Sequence, residues 1–347
     1  MNEALHQESL RLARSWSRHD AGTLQDYLVA DVQDPRINVQ SVLSRHVLLR
    51  AAGEPHYADL ASAELRFAAA MNWVLATAKD QRGREALDSI RHALDRGADN
   101  ADGVSLPFCL RRLHAMLPGS AAGLPIPDYL AMALDGTTFG TDGPRLPIEA
   151  LDTFARLWRT LLASAAPTGL SVLEPACGSA NDYRHLESYG LARLFDYRGI
   201  DLCETNISNA RALFPAARFE VGNVFELDLP DDAVDYSFAH DLFEHLSPAG
   251  LTAAATEICR VTRHRLCLHF FNMDEIPETL VRPVDDYHWN TLSLGQIESL
   301  FASLGFAGDA MHIGTFLHRG LHCECPHNPR AYTLTLDACP SALPHAS

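Results

Sequence analysis

The chain is predicted to be an α/β protein: a doubly wound, seven-stranded sheet over residues 166–347, preceded by an all-helical domain over residues 1–165. Three observations predict this. Apolar residues recur at helical spacing through the first half, with no alternating strand pattern. From Leu170 onward, short apolar and β-branched runs alternate with helical patterns, the signature of a parallel sheet. The ends of four successive strands carry polar residues or glycine, where open α/β sheets bind ligands.

In the first half, EPHYADLASAELRFAAAMNWVLATAKD sets Leu60, Leu65, Phe67, Met71, Val74 and Leu75 near helical spacing. REALDSIRHALDRG ends at Gly97, and LPFCLRRLHAML is broken by Pro118-Gly119. The Gly/Pro-rich stretch Gly136 to Pro147 separates these from a last helix, IEALDTFARLWRTLLASA. In the second half SVLEP, YRGIDL, ARFEVG, AVDYSFAH and HRLCLHFF read as strands. NDYRHLESYG, ETNISNARALF, SPAGLTAAATEICRVT and SLGQIESLFASLG read as helices. Ser247 is an N-cap with Pro248 at the first helical position, and Ser293 with Gln296 forms a capping box closed by Gly305. LHCEC and RAYTLTLDAC alternate with period two and predict a hairpin at the sheet edge.

Composition narrows the partners. A net charge of −16 with no run of Lys or Arg argues against nucleic acid and against an anionic membrane surface. No apolar run approaches the length of a membrane span, and the first residues lack an apolar signal core, so a cytoplasmic protein is expected. The 8 cysteines are mostly scattered through predicted elements, as reduced core thiols would be.

The four strand ends describe one ligand. VLEPACGSAND ends its strand at Glu174 and turns through Ala176 and Gly178, where glycine permits close approach of a ligand chain. Asp201, followed by Leu202, ends the second strand, and its carboxylate suits the two hydroxyls of a ribose. Asn223 and Val224 end the third, offering an acceptor for an exocyclic amine and an apolar wall for a base. His240 and Asp241 end the fourth. Neither G-x-G-x-x-G nor a P-loop is present, so the ligand has a ribose and an adenine but no pyrophosphate. S-adenosylmethionine, which is cationic and carries no phosphate, fits.

The second half resembles the class I S-adenosylmethionine-dependent methyltransferases, which have a Rossmann-like sheet. LEPACGSAN is similar to that family's first motif, GIDLCETNI to the second, GNVFELDLPDDAVDYSFAHDLFEHL to the third and fourth, and HWNTLSLGQIESLFASLGF to the late helix. The likeness runs from Leu170 to Gly308. It implies Glu174 and Gly178 as the family's acid and glycine and Asp201 as its ribose acid, together with the Glu244-His245 pair common in small-molecule members. Two departures stand out. The first loop has one glycine where the family often has three, which reshapes it, and Asn223 stands where an acid is frequent. PACGS is also similar to amino-methylating DNA methyltransferases, but their Asn/Asp-Pro-Pro-aromatic tetrapeptide is replaced here by AHDLFEHL.

The methyl acceptor is less legible. His245 and His288 are the candidate general bases. The long insertion Asn272 to Asn290 offers Asp274 for cations and Tyr287 and Trp289 for cation–π contacts. Arg36, in an extended stretch with Asn38, is either a carboxylate clamp or a bridge to the sheet. DVQDPRINVQSVLSRH resembles bacterial methionine S-methyltransferases, which would make the acceptor the thioether of methionine. O- or N-methylation of a secondary metabolite, a non-catalytic S-adenosylmethionine-binding scaffold, and a nucleotide-sugar or NAD enzyme on a similar fold are the alternatives. HCECPH reads as an edge strand rather than a zinc site, and no metal is expected. The helical half is expected to act as lid, substrate or dimerisation surface, with a homodimer inferred from fold analogy.

Overall fold

The computed structural model describes residues 3–16, 34–80, 83–116, 119–141, 143–324 and 327–339. The first half contains helices α1 (Glu3–Trp16), α2 (Val39–Ala51), α3 (Tyr57–Asp80), α4 (Arg84–Asp95), α5 (Phe108–Met116), α6 (Tyr129–Gly136) and α7 (Thr153–Leu162). The expected last helix is split: a single turn, Ile148–Leu151, stops at Asp152 before α7 begins. The half is not purely helical. Three antiparallel ribbons pair Asn100–Ala101 with Val104–Ser105, Gly119–Ala121 with Leu124–Ile126, and Thr138–Gly140 with Gly143–Arg145. Strands of two or three residues are too short for a period of two to register in the sequence.

The second half alternates β1 (Ser171–Pro175), α8 (Asn181–Ser188), β2 (Asp196–Asp201), α9 (Glu204–Leu213), β3 (Arg218–Val221), β4 (Val234–His240), α10 (Pro248–Val261), β5 (Thr262–Phe270), α11 (Leu294–Ser303), β6 (Phe306–His312) and β7 (Tyr332–Ala338). They form a seven-stranded sheet in the order β6-β7-β5-β4-β1-β2-β3. The pairs among β1 to β5 are parallel, and β7 runs antiparallel to both of its neighbours. The edge hairpin exists, but its first strand is β6 and not LHCEC. The middle residues of β6 are exposed and small or charged, which hides it from a reading by alternation. Of HCECPH, Cys325 and Pro326 lie outside the described residues, and 322–324 are irregular. The caps follow the sequence: Ser247 accepts from the Gly250 amide and Ser293 from the Gln296 amide. The reciprocal half of the second capping box is missing, because the Gln296 side chain accepts from the Thr279 amide instead.

One apolar core crosses the boundary near residue 165. Leu48, Phe67, Val74 and Trp158 of the helical half belong to the same cluster as Val172, Leu186, Tyr189 and Phe238 of the α/β half. Ala239, Leu266, Leu268 and Phe270 face the other way and pack with Ala254, Ile258 and Phe301 of α10 and α11. Strand alternation thus assigns one sheet face to the helical half and the other to α10 and α11.

Helix α2 makes the junction. It is buried around most of its circumference, so its polar side chains must find partners. The Gln40 amide donates to the carbonyls of Phe270 (3.1 Å) and Tyr332 (2.8 Å), at the site end of the sheet. The Ser44 hydroxyl lies 2.5 Å from His269 Nε2 and 3.3 Å from His240 Nε2. Arg45 donates to the Pro35 carbonyl and stacks 4.2 Å over the Tyr189 ring. Behind it the fully buried Glu64 accepts from His46 (2.9 Å), Trp158 Nε1 (2.7 Å) and Arg45 (3.4 Å). Burial alone would raise the Glu64 pKa, but the His46 bond and the Arg45 charge bring it below the ordinary value. Replacing Glu64 by Ala strands these donors, so a loss of about 3–5 kcal/mol is expected, read as a lower Tm and a lower urea midpoint. A wild-type midpoint would contradict this account of the junction.

Candidate active site

The strand order reverses between β1 and β4, which leaves a crevice at their carboxyl ends. A cavity of about 210 Å³ lies there. Ala176, Gly178, Asp201, Leu202, Asn223, Val224, His240, Asp241 and His245 all line it, so nine of the residues expected from the sequence converge on one space. Leu12 of α1, Asn206 and Phe225 also line it and were not foreseen. Glu8 of α1 is buried against the start of α10, accepting from the Ser247 amide (2.7 Å) and hydroxyl (2.5 Å), and this contact holds α1 beside the cavity.

The first loop turns through three left-handed residues, only one of them glycine. Ala176, Gly178 and Ala180 all have positive φ, at 57°, 55° and 68°. Two alanines therefore adopt the left-handed conformation that glycine takes without cost. A Cβ placed on Gly178 would meet no protein atom within 4 Å, so the space before it is open to a ligand. Asp201 holds this loop: Oδ2 accepts from the Gly178 amide (3.0 Å), and Oδ1 accepts from the Cys203 amide (2.8 Å) and from Asn206 (3.1 Å). Of these three bonds Oδ2 accepts only the one from the Gly178 amide, so the ribose hydroxyl would be met on the Oδ2 side. Asn223 also shapes its own turn: its Oδ1 accepts from the Phe225 amide (2.9 Å), one of the two hydrogen bonds that oxygen can accept.

Glu174 departs from expectation. It is not among the cavity-lining residues, and it takes a 2.5 Å hydrogen bond from the Tyr197 hydroxyl. Burial, then the neighbouring charge of Asp182, pushes its pKa well above the ordinary range. One ligand atom each of Glu174, Asp182 and His240 lie within 4.8 Å of one another. Asp182, Asp201 and Asp241 make the loop a negative pole, and among the described residues no Lys or Arg lines the cavity. Asp182 was missed by sequence reasoning, since nothing in the chain order marks a helix-start acid as facing the next loop.

Beyond Asp241 the aromatic insertion closes in. His245 Nδ1 lies 3.1 Å from the His288 carbonyl, so Nδ1 carries the proton, and burial lowers the His245 pKa. Phe271, Tyr287 and Trp289 surround the His245 ring at centroid distances of 5.4, 5.7 and 5.4 Å. His288 thus contributes its carbonyl, and its ring is not part of the cavity wall. Tyr287 and Trp289 cage His245 rather than line the cavity. Asp274 is half-exposed beside Arg330 at 3.7 Å, away from the site. Arg36 is not a free carboxylate clamp. It is buried between Asp34 (2.6 Å) and Asp152 (2.8 Å), both in the helical half, so it ties that half together and does not bridge to the sheet. Asn38 caps α2 through its side-chain oxygen and lines a second cavity.

That second cavity, of about 230 Å³, meets the first at Asp241. Asp241 has φ 49° and is half-buried. Burial raises its pKa, with the nearby Asp182 adding to the effect and His240 opposing it. Glu244, fully buried, accepts through Oε1 from the amides of Phe271 (2.7 Å) and Asn272 (3.3 Å), while Oε2 has no partner among the described residues. Burial and the Asp241 charge push it up to about 8.

A scan of known families matches residues 172–265 to a methyltransferase domain. A probable S-adenosylmethionine-dependent methyltransferase of Mycolicibacterium smegmatis is 28% identical over 159 residues, covering 44% of this chain and 58% of that protein. The chain thus spans little more than half the length of this relative. Among solved structures, 1,6-didemethyltoxoflavin-N1-methyltransferase of Burkholderia thailandensis aligns at a TM-score of 0.39 with 16% identity, over 54% of this chain and 76% of that one. An S-adenosylmethionine-dependent methyltransferase of Mesorhizobium loti aligns at 0.36 with 14% identity, over 49% and 91%. Residues 172–265 thus match a methyltransferase domain, in the part of the chain whose strand-end loops line the first cavity.

Two predictions follow from the site. Ala176 is exposed, so Ala176→Gly relieves its left-handed strain without opening a void, and stability should rise by about 1 kcal/mol; an unchanged or lower urea midpoint would argue against strain. Glu244, with its pKa moved from 4.5 to about 8, keeps a proton that the unfolded chain releases, so its contribution to stability falls as pH rises across that interval. Glu244→Gln should flatten the fall in Tm between about pH 5 and about pH 8, and an identical slope would count against a protonated Glu244.

Proposed function

We propose that the protein transfers the methyl group of S-adenosylmethionine to a small polar acceptor. The observation that carries this reading is the convergence of the four strand-end loops on one cavity at the sheet's switch point. The residues present fit the cofactor. Asp201 Oδ2 suits a ribose hydroxyl, Val224 and Leu202 offer apolar walls for a base, and the open space at Gly178 admits an amino-acid tail. The negative pole of Asp182, Asp201 and Asp241 suits an ammonium and a sulfonium. S-adenosylmethionine supplies a methyl carbon already activated by its sulfonium. The chain's own work is alignment and exclusion of water. Leu12 and Leu246 wall the cavity, and Asp241 stands where it meets the second cavity, which would seat the acceptor.

The thioether of methionine loses its strongest support, because Arg36 is already closed on two carboxylates. A small-molecule acceptor remains the best reading, since the second cavity is small and adjoins the first. No described helix is long and apolar enough to cross a membrane.

The test is calorimetric titration with S-adenosylmethionine, followed by mass spectrometry of a metabolite pool incubated with protein and methyl-labelled cofactor. Asp201→Ala, checked for folding by its Tm, should bind the cofactor about 10- to 100-fold more weakly, and a labelled product should form only with the wild type. Unchanged affinity would remove Asp201 from the site, and tight binding without any labelled product would favour the non-catalytic scaffold.

A further inference from the structure

Acceptors predominate in the polar wall of the second cavity. Of its side-chain amides, Gln40 and Asn72 spend both N–H groups on backbone carbonyls and Asn328 spends one, while the oxygen of Asn38 is taken by the Gln40 and Ser41 amides. Gln40 donates to Phe270 and Tyr332. Asn72 donates to Ile37 (2.8 Å) and Ala68 (3.0 Å), which fixes the orientation of its amide. Asn328 donates to Phe271 (2.6 Å). Asn72 is 8% exposed, and its Oδ1 has no partner among the described residues. A buried acceptor left unpaired carries a free-energy cost that a donor from a ligand removes.

Two further acceptors share this wall. His327 Nδ1 lies 3.3 Å from the Asn328 carbonyl and so carries the proton, which leaves Nε2 as the accepting side of a ring that burial keeps neutral. Asp241 brings a carboxyl at the junction with the cofactor cavity. Among the described residues no Lys or Arg lines the cavity, and Arg36 is neutralised by Asp34 and Asp152. Such a wall repels a carboxylate and favours a group rich in hydrogen-bond donors. A hydroxyl brings one donor, whereas a primary ammonium brings three and a positive charge.

We infer that the methyl acceptor is an amine-bearing small molecule without a carboxylate, held in the second cavity by Asn72 Oδ1, His327 Nε2 and the Asp241 carboxyl. This rests on the methyltransferase reading, because Asp241 orients the acceptor toward the cofactor only if the first cavity holds one. Phe271, on the same wall, gives the carbon skeleton an apolar surface.

The experiment uses three probes of one shape: benzylamine, benzyl alcohol and benzoate. Each is titrated by ligand-observed NMR into the full-length protein saturated with S-adenosylhomocysteine. Benzylamine should bind about tenfold more tightly than benzyl alcohol, and benzoate should not bind. Asp241→Asn should abolish most of the preference for the amine. Should that variant fold poorly by its Tm, His327→Phe provides the second arm, in which benzylamine should weaken while benzyl alcohol changes little. Benzoate binding as well as benzylamine, or an amine no better than the alcohol, would overturn the inference. If S-adenosylhomocysteine itself fails to bind, the methyltransferase reading falls and the inference falls with it. If it binds and the amine preference is absent, only the acceptor class is wrong.

Discussion

The structure depends on how one buried carboxylate is satisfied. Glu64, fully buried in α3, is tolerated only because His46, Arg45 and Trp158 converge on it from α2 and α7. Those partners fix α2 in rotation and depth. With α2 so fixed, Gln40 reaches the carbonyls at the ends of β5 and β7, and Ser44 reaches the stacked His240 and His269 rings. A buried charge of this kind is weak evidence for net stability, but its loss is expensive. Its consequence here is geometric: the helical half is held against the sheet, and Asn38, Gln40 and Asn72 face the strand ends.

The two cavities then divide the labour. The first is made by the loops of the sheet, with Asp201 binding three donors that hold the turn at Gly178 in place. The second is made between halves, from α2 and α3 on one side and the segments around Phe271 and Asn328 on the other. Asp241, in a left-handed conformation at the end of β4, belongs to both. Burial raises the pKa values of Glu174, Asp201 and Asp241, and the neighbouring charge of Asp182 adds to the rise of Glu174 and Asp241. A cationic ligand relieves the cost of burying these carboxyls, which an anionic one would increase.

Strong local signals were legible in the sequence. The alternation of strands and helices predicted the doubly wound sheet, because period and turn chemistry are properties of consecutive residues. The strand-end residues predicted the first cavity, because a parallel sheet brings all its carboxyl ends to one edge. The loop with missing glycines reaches the first cavity through Ala176 and Gly178, and Ala176 and Ala180 take the left-handed backbone there without glycine.

What the chain order could not encode was decided by tertiary packing. Arg36 read as either a clamp or a bridge to the sheet, and it is neither, because Asp152, far along the chain but in the same half, closes on it. His288 read as a base, but it is its carbonyl that touches His245. The strand β6 and the three short ribbons escaped notice because their residues do not alternate and their pairing is set by distant partners. The acceptor wall of Gln40, Asn72, Asp241 and His327 is assembled from four separate segments. The sequence alone thus determined the fold class and the cofactor edge, which follow from local periodicity and strand direction. Only the tertiary structure decided the acceptor cavity, because whether an amide shows its oxygen or its nitrogen depends on which backbone carbonyls its donors meet.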